Sequence, residues 1–390
     1  MHRITRKASE IPPFIVMDVL ERAHELERAG RHIIHLEIGE PDFPTPACIC
    51  DAACEAIRQG ETHYTHSLGL IELREAICNH YLEKYGVTIE PDRILVSSGT
   101  SPALFLIFAA LLEAGDEIIM SDPHYPCYPN FAAFLGGRAV PIRAEEGEGF
   151  QLRSEEIQKK IGPKTRAILI NSPSNPTGNL LSAERIEEIA ALGPPVISDE
   201  IYHGLVYGEK EHSILEFTDN AFVLNGFSKL YAMTGWRLGY LIAPRHFIRP
   251  LQKMQQNFYI SAGSISQWAG IAALTKAGPD VERMKAVYDE RRRYMMKRVR
   301  ELGFGLKVEP AGAFYMLANA RHFGASSYDL AFEILEKAGV GVSPGIDFGQ
   351  NAEGYLRFSY ANSIENIREG LDRIEAFLRQ RSGEPLCHEM

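Results

Sequence analysis

No stretch of this 390-residue chain is apolar for long enough to cross a bilayer. The longest run, Ala103–Leu112, is well short of the roughly 20 residues a spanning helix needs. The chain also lacks a basic excess. Lys and Arg number 41 against 51 Asp and Glu, a formal net charge of −10, and a field of that sign favours neither nucleic-acid phosphates nor anionic membranes. Any phosphate bound here must therefore be held by local donors. Cysteine is sparse: Cys48, Cys50, Cys54, Cys78, Cys127 and Cys387 include no Cys-x-x-Cys pair, so neither a disulfide framework nor a metal site is expected. Cys50 and Cys54, four apart on an expected helix, read as small buried helix residues. His63 and His66 read as surface or supporting groups. The start, Met1–Lys7, is positive but has no apolar run behind it, which argues against a secretory leader and for a soluble cytoplasmic protein. There is no Gly-x-Ser-x-Gly elbow, Walker A sequence or His-Glu-x-x-His, and Gly303-Phe-Gly305 lacks the third glycine of a dinucleotide fingerprint.

What remains is an ordinary globular composition, 45% hydrophobic and 24% charged, in a chain long enough for more than one domain. Short apolar runs at Ile94–Val96, Glu117–Met120, Arg166–Ile170, Pro195–Ser198, Phe222–Leu224 and Leu238–Ile242 are continuous rather than alternating. Strands covered on both faces read this way. Helical patterns at Pro102–Glu113, Ser154–Lys160 and Ser182–Leu192 fall between them, which is the rhythm of a doubly wound sheet. An amphipathic helix is expected at Val16–Ala29, stopped by Gly30, and a Pro-rich connector at Gly39–Pro46. A long charged helix at Val281–Leu302, short strands at Phe314–Leu317 and Tyr355–Ser359, and a last helix at Ile364–Arg381 follow, with a frayed tail from Ser382.

Ligands of an open parallel sheet bind beyond the carboxyl ends of its strands, and four marked segments stand there. Ser97-Ser-Gly-Thr-Ser-Pro102 opens an apolar helix. Its Gly99 lets the backbone approach a ligand, and its free amides form an anion site beside Ser98, Thr100 and Ser101. The same residues also read as a plain helix cap. Asn171-Ser-Pro-Ser-Asn-Pro-Thr-Gly178 is an unremarkable turn by composition. In Ser198-Asp-Glu-Ile-Tyr202, Asp199 reads by itself as a helix cap. The fourth segment, Asn225–Tyr240, puts Lys229 after the apolar run Ala221–Leu224 and Arg237 eight residues further on. Desolvation and the nearby arginine would lower the amine's pKa toward usefulness. The arginine and Ser228 could hold a phosphate.

The order and approximate spacing of these segments resemble those of the class I and II aminotransferases of fold type I, over nearly the whole chain. Asn225–Tyr240 resembles that family's cofactor-lysine segment, and Asn175-Pro-Thr-Gly178 its Asn-Pro-Thr-Gly signature. The resemblance implies an α/β fold type I transferase. Its large domain, residues 45–285, would carry a mostly parallel central sheet flanked by helices. Residues 1–44 and 286–390 would form a smaller α+β domain. It implies pyridoxal 5′-phosphate (PLP) as cofactor and Lys229, Asp199 and Tyr202 as the catalytic groups. Lys229 would carry the cofactor and move the substrate's Cα proton. Asp199 would keep the pyridine nitrogen protonated, so that the ring accepts charge from Cα. Tyr202 and Asn175 would hydrogen-bond the phenolic oxygen, with Asn175 also near the substrate carboxylate, and Tyr125 would stack on the ring. Arg237, Ser228 and the turn Ser98, Gly99, Thr100, Ser101 would hold the phosphate. Arg357, in Tyr355-Leu-Arg-Phe-Ser359, would grip the substrate α-carboxylate as a planar fork, supported by the backbone of Gly39.

Tyr64 would reach the phosphate of a neighbouring subunit, which implies a homodimer with shared active sites. Core or interface packing is the plain reading of Tyr64 and Tyr125. The implied activity moves an amino group from an L-amino acid to a 2-oxo acid, 2-oxoglutarate foremost, by a ping-pong mechanism. A carbon–sulfur β-lyase is the alternative. One departure stands out. Many relatives have a serine three residues before the lysine, where this chain has Gly226; Ser228, Ser98 or Ser101 would replace that hydroxyl. Some relatives have a lysine where Ser101 stands, which weakens a strict aspartate enzyme and leaves aspartate, alanine, methionine, aromatic or broad-specificity donors open.

Overall fold

Buried aliphatic runs in the middle of the chain assemble into one seven-stranded sheet. The computed structural model describes residues 4–324 and 326–382. The strands are β1 (Ile94–Ser97), β2 (Glu117–Asp122), β3 (Arg138–Arg143), β4 (Thr165–Asn171), β5 (Val196–Asp199), β6 (Ala221–Gly226) and β7 (Gly239–Ile242). Their spatial order is β1-β7-β6-β5-β4-β2-β3. Every neighbouring pair is parallel except the two made by β7, which runs antiparallel to β1 and to β6. The strands β1, β5, β6 and β7 are buried along their whole length, which is why each reads as an unbroken apolar run. The edge strand β3 escapes that reading. Only its Ile142 is buried, and Arg138, Pro141 and Arg143 are exposed, as suits a strand paired on one side.

Helices cover both faces. The apolar helix α2 (Thr100–Leu111) lays Leu104, Ile107 and Phe108 against Phe222, Leu224 and Leu241 of the sheet. Burying each such side chain contributes about 1.5–3 kcal/mol. It begins two residues before the expected Pro102, because the positive φ of Gly99 (+96°) makes the turn and leaves Pro102 inside the first helical turn. On the other face, Ile77 and Tyr81 of the helix Ile71–Tyr85 and Ala269 of the helix Ser264–Lys276 pack with Val96, Val223 and Tyr240. On the helix Ala47–Arg58, Cys50 is half-buried, but Cys54 is exposed, contrary to expectation. The buried stripe there is Ile49, Ala53 and Ala56, and the helical period turns Cys54 off that stripe.

The two ends of the chain fold together. The helix α1 (Ile15–Arg28) buries Val19, Ala23 and Leu26 against Ile33 and Leu335. Ile34–His35 pairs in parallel with Val340–Gly341. After the long helix α3 (Gly278–Glu301) comes a second, antiparallel sheet of β8 (Tyr315–Asn319), β9 (Ser343–Pro344) and β10 (Tyr355–Ser359), ordered β9-β10-β8. It is flanked by α4 (Ser327–Ala338) and closed by α5 (Ile364–Ser382). The tail is expected from Ser382, which the structure still places in α5; the rest of it, with Cys387, lies outside the described residues.

Candidate active site

A cavity of about 400 Å³ opens where the carboxyl ends of β4, β5 and β6 meet the terminal segments. Asp199 is the last residue of β5 and is buried. The Tyr128 hydroxyl donates to its Oδ2 at 2.6 Å, and the Ile201 amide to its Oδ1 at 3.2 Å. No helix follows it, so the capping reading fails and the carboxylate closes a turn instead. Burial pushes its carboxyl up to about 6, against the hold of those two hydrogen bonds and of Lys229. Asn171, at the end of β4, donates from Nδ2 to the Asp199 carbonyl at 2.9 Å and accepts from the Asn175 amide at 2.8 Å, tying two motifs together. Lys229, three residues past β6, donates from Nζ to the Gly39 carbonyl at 2.6 Å. Burial brings its amine down to about 8; Arg357 and Arg237 act in the same direction, while Glu40 and Asp199 oppose it.

The second end of the cavity is built for an anion. A Cβ on Gly99 would come within 2.7 Å of the Arg237 Nη2, so the glycine lets that guanidinium lie over the start of α2. Arg237 is anchored by a bond from Nη1 to the Thr234 carbonyl, 2.9 Å. Thr100, Ser101 and Ser228 line the same space; Ser98 and Gly99 build the turn without lining it. Gly226 is not a simple omission of a serine. A Cβ there would meet the Gly239 Cα and the Leu238 carbonyl oxygen at 3.0 Å, in the tight space between β6 and β7. Ser228, two residues on, lines the cavity. Tyr64 does not line this cavity within one chain and is 83% exposed.

Arg357, on β10, forms the opposite wall and is only 2% exposed. Its Nη1 donates to Asn175 Oδ1 at 2.9 Å; its Nη2 donates to the Glu37 carbonyl and to Ser343 Oγ, the latter at 3.0 Å. The Tyr315 ring lies 4.3 Å from the guanidinium and Phe348 4.8 Å. Its buried Nε has no hydrogen-bond partner among the described residues, so three of the five N–H groups of the guanidinium are committed. Tyr202 and Tyr315 share a hydrogen bond between hydroxyls, 3.1 Å. Gly39 is required by the same tyrosine, since a Cβ there would come within 2.2 Å of the Tyr315 hydroxyl. Tyr125 lines the cavity and meets Tyr128 edge-on at 5.3 Å.

The structure thus brings Gly39, Thr100, Ser101, Tyr125, Asn175, Asp199, Tyr202, Ser228, Lys229, Arg237 and Arg357 together. Sequence reasoning passed over Tyr128, Asn171 and Tyr315, and the apolar wall from α1. Tyr128 follows Tyr125 by three residues at the start of a helix, and Asn171 opens the Asn-Ser-Pro-Ser-Asn segment. Both were adjacent to marked residues; nothing local marked Tyr315. An amine, a buried acid, an anion cradle and a carboxylate clamp in one cavity suit an aldehyde cofactor that bears a phosphate and a ring nitrogen.

The family description "Aminotransferase class I and II" matches residues 31–374. A (5-formylfuran-3-yl)methyl phosphate transaminase of Methanocaldococcus jannaschii is 42% identical over 381 residues, covering 97% of this chain and all of that protein. An aspartate aminotransferase of Pyrococcus horikoshii is 40% identical over 372 residues, 93% of this chain and 94% of that one. The solved structure of Thermus thermophilus aspartate aminotransferase with maleate matches with a TM-score of 0.93 at 35% identity, over 96% of this chain and 100% of that one.

Proposed function

The chain belongs to the class I and II aminotransferase family, and from that premise we propose a specific assignment of roles in its cleft. The enzyme is a PLP-dependent aminotransferase; its relatives are named aminotransferases, and the β-lyase alternative finds no support among them. The residues fit the cofactor. Lys229 offers an amine of lowered pKa, Asp199 a buried carboxylate, and Arg237 with Thr100, Ser101 and Ser228 a phosphate cradle that a side chain at position 99 would obstruct. When bound, PLP supplies an aldehyde and an electron-withdrawing ring.

The protein's own groups do the rest. The Arg357 fork, which lines the cavity, pairs with the substrate α-carboxylate through N–H groups that its contacts to Asn175, Glu37 and Ser343 leave free. Lys229 Nζ takes the proton from the substrate Cα and delivers it on the cofactor side, and its near-neutral pKa suits both halves of that transfer. Asp199, held by Tyr128, keeps a proton on the ring nitrogen. Asn175 and Tyr202, which line the same cavity, would hydrogen-bond the phenolic oxygen, and Tyr125 would lie against the ring. An amino donor and a 2-oxo acid, 2-oxoglutarate first among candidates, then alternate in one site. The large unit, 45–285, carries the cofactor groups, and the small one, 1–44 and 286–390, carries Gly39 and Arg357. A homodimer in which Tyr64 completes the neighbouring phosphate site is supported by that tyrosine's exposure alongside Ile71, Phe258 and Ile260. The lack, among the described residues, of any helix able to cross a membrane is consistent with a cytoplasmic setting.

The observation that carries this reading is the convergence of Lys229, Asp199 and Arg357 on one cavity. Mixed with an amino donor alone, the holoenzyme should convert its cofactor to pyridoxamine phosphate and release one 2-oxo acid per site. Continuous release of ammonia with the PLP retained would overturn it.

A further inference from the structure

One wall of the cavity has no task in the chemistry above. Phe14, Val16, Met17 and Leu20 face the space from the start of α1, and Ile38 from beside Gly39. All five are apolar. Among the described residues of one protomer, the cations lining the cavity are Lys229, Arg237 and Arg357, and each already has a partner in the proposed chemistry. Nothing on this wall would pair with a second carboxylate, and Ser101 offers only a hydroxyl. An acidic side chain placed here would give up water without gaining a counter-charge, whereas an apolar one would leave water for a matching surface.

The position of this wall is set by two neighbouring residues. Phe14, at the N-cap of α1, has no side-chain acceptor to offer the helix. Asp347 supplies it from afar, its two carboxylate oxygens accepting from the amides of Ile15 and Val16 at 3.1 Å each. The next residue, Phe348, is fully buried and backs the Arg357 guanidinium. It also shares a hydrophobic cluster with Val16 and Phe14. One residue thus holds the wall, and the adjacent one holds the carboxylate clamp.

We propose that the donor's side chain lies against Phe14, Val16, Met17, Leu20 and Ile38, that the enzyme takes aromatic and aliphatic amino donors in preference to aspartate, and that Asp347 is the positioning residue keeping that wall in register with Arg357. This rests on the reading of Arg357 as the α-carboxylate clamp.

Half-reactions of the holoenzyme with L-phenylalanine, L-leucine, L-alanine and L-aspartate, read by cofactor conversion, test it. Phenylalanine and leucine should exceed aspartate in second-order rate by about tenfold or more, the discrimination a hydrophobic pocket can supply. Leu20→Ala and Met17→Ala should each lower the phenylalanine-to-alanine ratio by about tenfold. Asp347→Ala should lower the same ratio through half-saturation, with the cofactor absorbance unchanged, and Asp347→Asn, which keeps one acceptor oxygen, should restore part of it. Aspartate as the fastest donor overturns the proposal, as does an equal loss for all four donors in these variants. If no donor converts the cofactor, the amino-transfer reading itself fails, an outcome distinct from the other two.

Discussion

The floor of the cleft grows from the ends of three strands that are neighbours in the sheet, with Asn171 on β4, Asp199 on β5 and Lys229 just past β6. The roof is put together from Phe14–Leu20, Glu37–Gly39, Tyr315 and Arg357, and the bond from Arg357 to the Glu37 carbonyl spans 320 positions of chain. The floor groups inherit their spacing from the parallel ladder and need only local turns to present them. The roof groups keep their spacing only while two distant segments stay in register. The proposed roles put chemistry on the strand-end side and substrate recognition on the assembled side. Changes to the floor should therefore stop turnover, and changes to the roof should first weaken or redirect binding.

The largest effect should come from the floor. Lys229→Ala should lower transamination by about 10⁴-fold or more, the upper range for losing a positioned acid–base group. It should also abolish the visible absorbance of covalently held cofactor; near-normal turnover would remove the floor's central residue from the mechanism. On the roof, Arg357→Lys should keep the cofactor spectrum but reduce kcat/KM for every α-amino acid by about 10²-fold, mostly through KM, since a buried carboxylate–guanidinium pair carries several kcal/mol. A kcat-only loss would place Arg357 with the chemistry and dissolve the division.

Smaller changes probe how the roof is held. Gly39→Ala drives a methyl into the Tyr315 hydroxyl, which would otherwise stand only 2.2 Å away. Overpacking of this kind costs about 1–3 kcal/mol, and urea denaturation should read it as a lower midpoint. The smallest effect is pH-dependent. The hydrogen bond with Glu37, helped by Glu27, raises His35 from its usual 6.5 to about 9. A folded pKa above the unfolded one contributes stability that is complete below about 6.5 and is lost as the pH rises through 9. His35→Gln should lower the thermal midpoint near pH 6, by roughly 1–2 °C for each kcal/mol removed, and leave it almost unchanged near pH 10. An equal drop at both would mean that His35 acts by packing and not by charge.

Much of the floor was legible in residue order. The strands β1, β5, β6 and β7 are buried on both faces and so are written as unbroken apolar runs; Asp199 ends one of them and Lys229 stands just past another. Asn175 and Arg357 were legible through motifs. That Ser101 lines the cavity and Ser98 does not was not legible, because it depends on how α2 starts at Gly99. The meaning of Gly226 was not legible either. It is set by the backbone of Gly239 across the sheet, a neighbour that no local pattern reveals. Asp347 illustrates the same limit: it caps a helix that begins more than three hundred residues before it.

Residue types and their spacing were enough for the parallel core, because burial pattern and turn chemistry are properties of neighbouring residues; the tasks of the lysine and acid at its edge, and the cofactor, came from the resemblance of whole motifs to a family. What stands across the cleft from them emerged only on folding. The stacking of Tyr315 and Phe348 on Arg357, the grip of Asp347 on α1 and the apolar wall lining the cavity all depend on two ends of the chain packing together. Such contacts are selected by the shape and closeness of surfaces far apart in sequence, and no run of adjacent residues encodes that closeness.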